Sequence, residues 1–266
     1  MPRNVKSAGR LPLGLKRGLI SGLFRLSFPF KNRARPPVFI VATPRSGSYL
    51  LRSYLNSVPG ISLAGEVLNP DIPLGIVAGA FSHDEVLRHI LLRAAPFGDG
   101  IGGAKFMISQ LRQHALSLDD VGTFFPGARF IILYRRHLLD QWISMKIASI
   151  SGHWRWSRDF SMPASLHADP GELLRYCEQT RADYRGIFAF DGPRNGSIVL
   201  DYESLCAFPQ KIFDDVVFPL LGLPPCPIKT DMRKQVTRPV REIIENYEEL
   251  GPLLDDGSLL QEYSSS

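Results

Sequence analysis

Residues 38–57 read Val38-Phe39-Ile40-Val41-Ala42-Thr43-Pro44-Arg45-Ser46-Gly47-Ser48-Tyr49-Leu50-Leu51-Arg52-Ser53-Tyr54-Leu55-Asn56-Ser57. The apolar run 38–42 is long enough for a buried strand and too short for a helix. It empties into a short loop holding a glycine, hydroxyls and the Arg45 cation, and an amphipathic helix from about Ser48 carries Leu50, Leu51, Tyr54 and Leu55 inward. Strand, loop and helix start make an anion cradle, because the unpaired amides of a first helical turn point into the loop before it. Arg45 adds a charge with the bidentate geometry that suits phosphate or sulfate. A Walker loop needs Gly-x-x-x-x-Gly-Lys-Ser/Thr. Here Gly47 is followed by Ser48 and Tyr49, with no lysine and no second glycine. That argues against a nucleotide kinase or triphosphatase, and an ordinary strand–turn–helix connection is the plain alternative.

Working outward, the chain alternates. Strand-like runs lie at 38–42, 61–64, 101–106, 128–134 and 197–201, with helical patterns at about 48–57, 84–95, 109–120, 137–150, 171–189 and 209–221. Such alternation predicts an α/β fold with a P-loop-like central parallel sheet covered by helices on both faces. Ligands of such sheets sit outside the carboxyl ends of the strands. The residues just past those ends are therefore informative: Thr43 to Ser48, Gly65-Glu66, Lys105, Arg135-Arg136 and Asp201-Tyr202-Glu203. Segment 151–170 interrupts the pattern with two Trp and two Arg. It reads as a surface excursion able to contact a sugar or lipid headgroup, or as a packing loop.

The chain has 266 residues, 44% hydrophobic and 21% charged, an ordinary composition for one large domain. Three cysteines without a Cys-x-x-Cys pattern make a disulfide framework unexpected and point to a reducing, cytoplasmic compartment. The six histidines show no ligand spacing, so no metal is expected. The net charge of +5 is unevenly placed. Residues 1–37 hold nine Arg or Lys and no acid, which leaves the other 229 residues at −4. The basic character belongs to an arm (1–37), not to the domain (38–266), and nucleic-acid binding is not expected. Within residues 11–30, Leu15, Leu19, Ile20, Leu23, Phe24 and Leu26 fall on one side of a helical wheel and Arg17, Ser21 and Arg25 on the other, with Lys16 interrupting the apolar face. The pattern suits a helix lying in an anionic membrane surface, peripheral to its inner face, and is too short and charged to span. Packing on the domain and disorder are the alternatives.

A second constellation repeats the logic of the first. Phe130-Ile-Ile-Leu-Tyr134-Arg135-Arg136-His-Leu-Leu-Asp140-Gln-Trp-Ile-Ser144 is a buried strand ending in cations before a helix. Arg136 at the helix start and Ser144 two turns on can grip one phosphate, while Asp140 favours the helix N-terminus. Alternatively Arg136 only pairs with Asp140 and Ser144 only packs. Together, Thr43-Pro44-Arg45-Ser46-Gly47-Ser48 and Arg136-x3-Asp140-x3-Ser144 resemble the paired 5′- and 3′-phosphate motifs of sulfotransferases, which use 3′-phosphoadenosine 5′-phosphosulfate (PAPS). The resemblance spans about residues 38–250. It is strongest to bacterial carbohydrate sulfotransferases of the nodulation-factor, trehalose and lipopolysaccharide type, through Arg45, Gly65-Glu66, Gly103-Ala104-Lys105-Phe106 and Lys234-Gln235-x2-Arg238-Pro239.

The resemblance implies a sulfotransferase fold, PAPS as co-substrate with PAP as product, and no metal. It implies that Arg45 binds the 5′-phosphate and bridging oxygen, with Ser46, Gly47 and Ser48 completing a cradle bordered by Pro44 and Tyr49. Arg136 and Ser144 hold the 3′-phosphate, Tyr202 contacts the adenine, and Lys234 and Gln235 lie in a late loop over the nucleotide. Cytosolic relatives take the acceptor proton with a His beyond Lys-Thr-His; here Lys105-Phe106-Met107 lacks it. Glu66 matches the carboxylate of carbohydrate-directed members, with Val67 and Leu68 expected to raise its pKa. Lys105 is a second cation for the transferred group, and His83 and His114 are expected to be surface or helix residues. The implied acceptor is a carbohydrate or glycolipid hydroxyl. The rival functions are a nucleotide kinase or triphosphatase and a catalytically silent, membrane-peripheral binding protein of the same fold.

Overall fold

The computed structural model describes residues 35–72, 75–95, 99–154, 160–190 and 196–250, together with 12, 14, 15, 18, 19 and 22 of the arm. Elements follow in the order β1 (Val38–Ala42), α1 (Ser48–Asn56), β2 (Ile61–Glu66), α2 (His83–Ala94), β3 (Ile101–Met107), α3 (Ile108–Gln113), α4 (Leu118–Phe124), β4 (Arg129–Tyr134), α5 (Leu138–Ser151), α6 (Pro170–Phe188), β5 (Ser197–Asp201) and α7 (Tyr202–Ala207). A helical run then passes through Pro209–Ile212, a π-helical turn at Phe213–Val217, and Phe218–Leu221.

β1 is buried at all five positions, as its unbroken apolar run demands of a strand covered on both faces. It pairs in parallel with β3 on one edge and β4 on the other, and the sheet order is β2-β3-β1-β4-β5. Alternation of side chains divides the core in two. Val38, Ile40 and Ala42 pack with Leu51 and Leu55 of α1 and with Phe213, Val217 and Phe218. Phe39 and Val41 pack on the opposite side with Phe106, Phe130, Leu111, Trp142 and Tyr184. The expected parallel sheet with helices on both faces is therefore the observed one. Because β1 lies between β3 and β4, the chain leaves it in opposite directions across the sheet, which puts the topological switch point at the end of β1.

Boundaries differ where local chemistry intervenes. The helix expected over 109–120 is two helices, since Ala115 adopts φ 52 and Ser117 opens α4 through a capping box with Asp120. β2 runs on to Glu66, past an irregularity after Leu63, and Glu66 then pairs with Lys105. Lys105 lies on β3 in step with Ile101 and Met107, which both join the core beneath α1. Its ammonium is thereby aimed at α1.

The arm lies largely outside the described residues; Leu15 and Leu19, which are described, are helical and exposed. Among the described residues no helix is long and apolar enough to cross a membrane.

The close pairing of β1 and β3 has no room for a side chain at Gly103. A Cβ there would stand 1.8 Å from the Val38 carbonyl oxygen and 2.7 Å from Leu63 Cδ2. Gly103→Ala is expected to lower the urea midpoint by the equivalent of about 3 kcal/mol. An unchanged midpoint would contradict the register.

Candidate functional site

The carboxyl ends of the strands open into a cleft of about 1350 Å³. Its floor is the 43–48 loop. Arg45 takes φ 64 and Gly47 φ 89, so two residues of this short turn lie in the left-handed region. Gly47 alone fits its place, because a Cβ would meet Tyr202 Cδ2 at 2.2 Å. α1 begins at Gly47 with no side-chain cap and no acid in its first turn, which leaves the helix start open to an anion. Thr43, Ser46 and Ser48 are buried, and Ser46 Oγ donates to the Thr43 carbonyl at 2.8 Å.

Arg45 reaches across the cleft. Its Nε donates to Ser144 Oγ at 2.9 Å, Nη1 to the Trp154 carbonyl at 2.6 Å and Nη2 to Gln235 Oε1 at 2.5 Å. Gln235 Nε2 in turn donates to the His153 carbonyl at 3.1 Å. Burial, reinforced by the Arg135 charge, lowers the Arg45 pKa. All three acceptors are neutral, and a phosphate or sulfate oxygen is the stronger partner for a guanidinium.

The second constellation meets the first through Ser144 and through Arg135 rather than Arg136. Arg135 lines the cleft, holds Asp140 at 3.2 Å and lies 4.7 Å from the centre of the Tyr202 ring. Arg136 turns the other way, to Asp201 at 3.2 Å and Glu203 at 3.7 Å, and is not part of the cleft wall. Glu203 also accepts from the amides of Arg136 and His137, at 3.0 and 3.3 Å, and so holds the start of α5. The pair expected for Arg136 with Asp140 is made by its neighbour. Two adjacent arginines are indistinguishable by spacing alone; past the end of β4 both reach Glu203, but only Arg135 also holds Asp140 and lines the cleft, while Arg136 pairs with Asp201.

At the far end of the cleft, Lys105 Nζ lies 2.8 Å from Glu66 Oε1 and 3.2 Å from the centre of the Tyr49 ring. The Lys105 side chain is 0% exposed and that of Glu66 14%. Gln110 and Asn69 donate to Glu66 Oε2 at 3.0 and 3.3 Å. Burial pushes the Glu66 carboxyl up, but the net rise expected from Val67 and Leu68 is not found. The Lys105 charge and the donated hydrogen bonds outweigh burial, so the carboxyl sits below its ordinary range. The two peptide units after Glu66 are fixed by imidazoles: His89 Nε2 donates to the Val67 carbonyl at 3.0 Å, and His114 bonds the Leu68 backbone. His114, expected at a surface or on a helix, is buried just beyond α3, and His83 is the exposed first residue of α2.

Pro44, Ser48, Tyr49, Tyr202, Lys234 and Gln235 all border the same cleft. Of segment 151–170, Trp154 stands half-exposed on the wall, Leu166 packs in the core, and 155–159 lie outside the described residues. The site thus has a cationic end suited to anions and a carboxylate–ammonium pair in the same cleft. Gln110, Asn69, Gln141 and Tyr184 carry no motif and were not legible as site residues. Among the described residues no cluster of His, Cys, Asp or Glu is suited to hold a metal ion.

A 2-3-1-4-5 parallel sheet with this cradle at its switch point defines a protein of the sulfotransferase fold. No family model matches the chain. It is 27% identical over 228 residues to Nodulation protein H of Rhizobium meliloti strain 1021, spanning 80% of this chain and 89% of that protein. A second Nodulation protein H, from Rhizobium meliloti, is 26% identical over the same length. Among solved structures, the sulfotransferase from Alicyclobacillus acidocaldarius matches with a TM-score of 0.50 at 18% identity, over 85% of this chain and 94% of that one. These likenesses relate the chain to the sulfotransferase superfamily, on the side of the nodulation proteins. They support the enzyme class that the paired motifs imply, a PAPS-dependent sulfotransferase.

Proposed function

We propose that this protein transfers the sulfuryl group of PAPS to a hydroxyl of a carbohydrate or glycolipid, with Glu66 as the general base. The observation that carries the reading is that one cleft holds Arg45, Ser144 and Arg135 at one end and the Glu66–Lys105 pair at the other. Arg45 and the open start of α1 bind the 5′-phosphate. Ser144 and Arg135 bind the 3′-phosphate, with Arg135 in the place expected for Arg136, and Tyr202 borders the base. The likeness to Nodulation protein H supports the carbohydrate class of acceptor.

In the reaction the acceptor oxygen bonds to sulfur as the bond from sulfur to the 5′-phosphate oxygen breaks. The acceptor proton passes to Glu66, and charge left on the phosphate is met by Arg45. Lys105 has two partners in this scheme. Beside Glu66 it keeps the carboxylate deprotonated, as a base must be, but also lowers its affinity for a proton. Negative charge gathering on the sulfuryl oxygens draws the same ammonium away, and burial then raises the basicity of Glu66 as the proton arrives.

PAP at 100 times its dissociation constant is expected to stabilise the fold by about 2.7 kcal/mol. PAPS-dependent label transfer onto fractionated glycans and glycolipids should fall about 10²–10⁴-fold in Glu66→Gln. Absence of any thermal shift with PAP would defeat the nucleotide reading, and full activity in E66Q would remove Glu66 from the mechanism.

The pH dependence has a definite sign. Because the carboxyl is held low, the acidic limb of kcat/KM should lie below the ordinary glutamate value of about 4.3. Lys105→Met removes the main lowering influence and leaves burial opposed only by the Gln110 and Asn69 hydrogen bonds, so its limb should move to higher pH. A limb that stays put would show that Glu66 is not the titrating group.

The arm is proposed to contact an anionic membrane surface at the cytoplasmic face, on the strength of its nine cations, its lack of acids, and exposed Leu15 and Leu19. Full-length protein should pellet with anionic liposomes and a form lacking residues 1–30 should not. Equal pelleting would reject the assignment.

A further inference from the structure

Behind the cleft, three side chains form a closed ring of hydrogen bonds. Thr43 Oγ1 donates to Tyr184 Oη at 3.1 Å, Tyr184 Oη donates to Gln141 Oε1 at 2.9 Å, and Gln141 Nε2 donates back to Thr43 Oγ1 at 2.9 Å. All three residues are buried: Tyr184 and Gln141 are 0% exposed and Thr43 is 1%. Two bonds leave the ring, one toward each anion-binding loop. Gln141 Nε2 also donates to the Pro44 carbonyl at 2.6 Å, and the Arg135 amide donates to Tyr184 Oη at 3.0 Å.

The phenol oxygen thus accepts two hydrogen bonds and donates one, its full capacity. Its position matters because the parallel pairing of β1 and β4 ends at Ala42 and Leu133, just short of the loops. Beyond that point the two segments are joined directly only by a long side-chain-to-backbone bond, in which Arg135 Nη1 donates to the Arg45 carbonyl at 3.5 Å. The ring carries the sheet's registration one residue further, into the segments that hold charge. Tyr184 is itself fixed from below by edge-on packing with Tyr134, at 5.9 Å between ring centres, and by stacking on Phe188. Burial raises its pKa to about 12, which keeps the donating proton in place.

We propose that Tyr184 is a positioning residue that sets the separation of the two anion-binding loops, so that the site favours a nucleotide carrying phosphate at both its 3′ and 5′ positions. The inference rests on the PAPS reading above. A ligand with one phosphate is served by one loop and is indifferent to the spacing. A ligand with two gains its second contact only when both loops stand at the correct distance, as linked binding sites require.

The test compares PAP, adenosine 5′-monophosphate and adenosine 3′-monophosphate by calorimetry on wild type, Tyr184→Phe and, as a second route to the same ring, Gln141→Met. Tyr184→Phe keeps the aromatic packing and removes only the hydroxyl. Circular dichroism and the urea midpoint establish that each variant is folded. PAP affinity should fall about tenfold or more in both variants, the order of magnitude of a lost buried hydrogen bond, while each monophosphate changes less than about threefold. Unchanged PAP binding in a folded Tyr184→Phe, or equal weakening of all three nucleotides, overturns the positioning role and leaves the PAPS reading standing. Failure of wild type to bind PAP overturns both.

Discussion

β1 is hydrogen-bonded along both edges, and the convergence of the strand-end loops on the cleft follows from that pairing. Its register sets Ala42 beside Met107 of β3 and Leu133 of β4, so three strands end at one level. Chain leaving that level in parallel strands must turn outward together. The 43–48 loop, the start of α3 and Arg135 therefore surround one opening. A fully buried central strand has no freedom to slip, because a shift of one residue would turn Phe39 and Val41 into the face that Val38 and Ile40 fill. Precision at the cleft is thus inherited from the least polar part of the molecule.

Charge at the opening is concentrated but not left bare. Arg135 is held by Asp140 and Glu203, Arg136 by Asp201 and Glu203, and Lys105 by Glu66. Removing one member of a buried pair costs about 3–5 kcal/mol, since the other charge is then stranded. The acids are therefore conditions for having cations at this depth. Arg45 differs, because its partners are a hydroxyl, a peptide carbonyl and an amide oxygen. It is the cation in this group whose charge the folded chain offsets least, and it sits at the open start of α1. An anionic ligand is drawn there by charge and by unpaired amides acting together.

Much of this architecture was legible in the residues, and the exceptions have physical causes. Short apolar runs located all five strands, most firmly the inner β1, β3 and β4, because a strand buried on both faces tolerates little else. The 43–48 cradle was legible because it is continuous in sequence. The break between α3 and α4 was not, since it depends on the backbone of Ala115 and on the Ser117 cap inside an otherwise helical pattern. Arg135 and Arg136 were separable only once the end of β4 gave each a direction. Gln141 and Tyr184 left no trace because their partners lie 98 and 141 residues away from them in the chain. The lowered carboxyl of Glu66 was hidden for a similar reason: its neighbours in sequence are apolar, and its neighbour in space is Lys105.

That last pairing ties the two ends of the cleft together. Lys105 and Tyr49 belong to the face of the sheet that α1 covers, and Tyr49 stands in the first turn of the helix whose start is open to an anion. The aromatic face beneath the ammonium stabilises its charge without fixing it to one acceptor, as a second carboxylate would. Glu66 by contrast is held by four contributions, from Lys105, Gln110, Asn69 and the His-anchored strand end behind it. The carboxylate is the anchored partner and the ammonium the adaptable one. In the proposed reaction, charge developing at the centre of the cleft can therefore recruit Lys105 without displacing Glu66, and a base that keeps its position while its basicity rises is what transfer to a neutral hydroxyl would require.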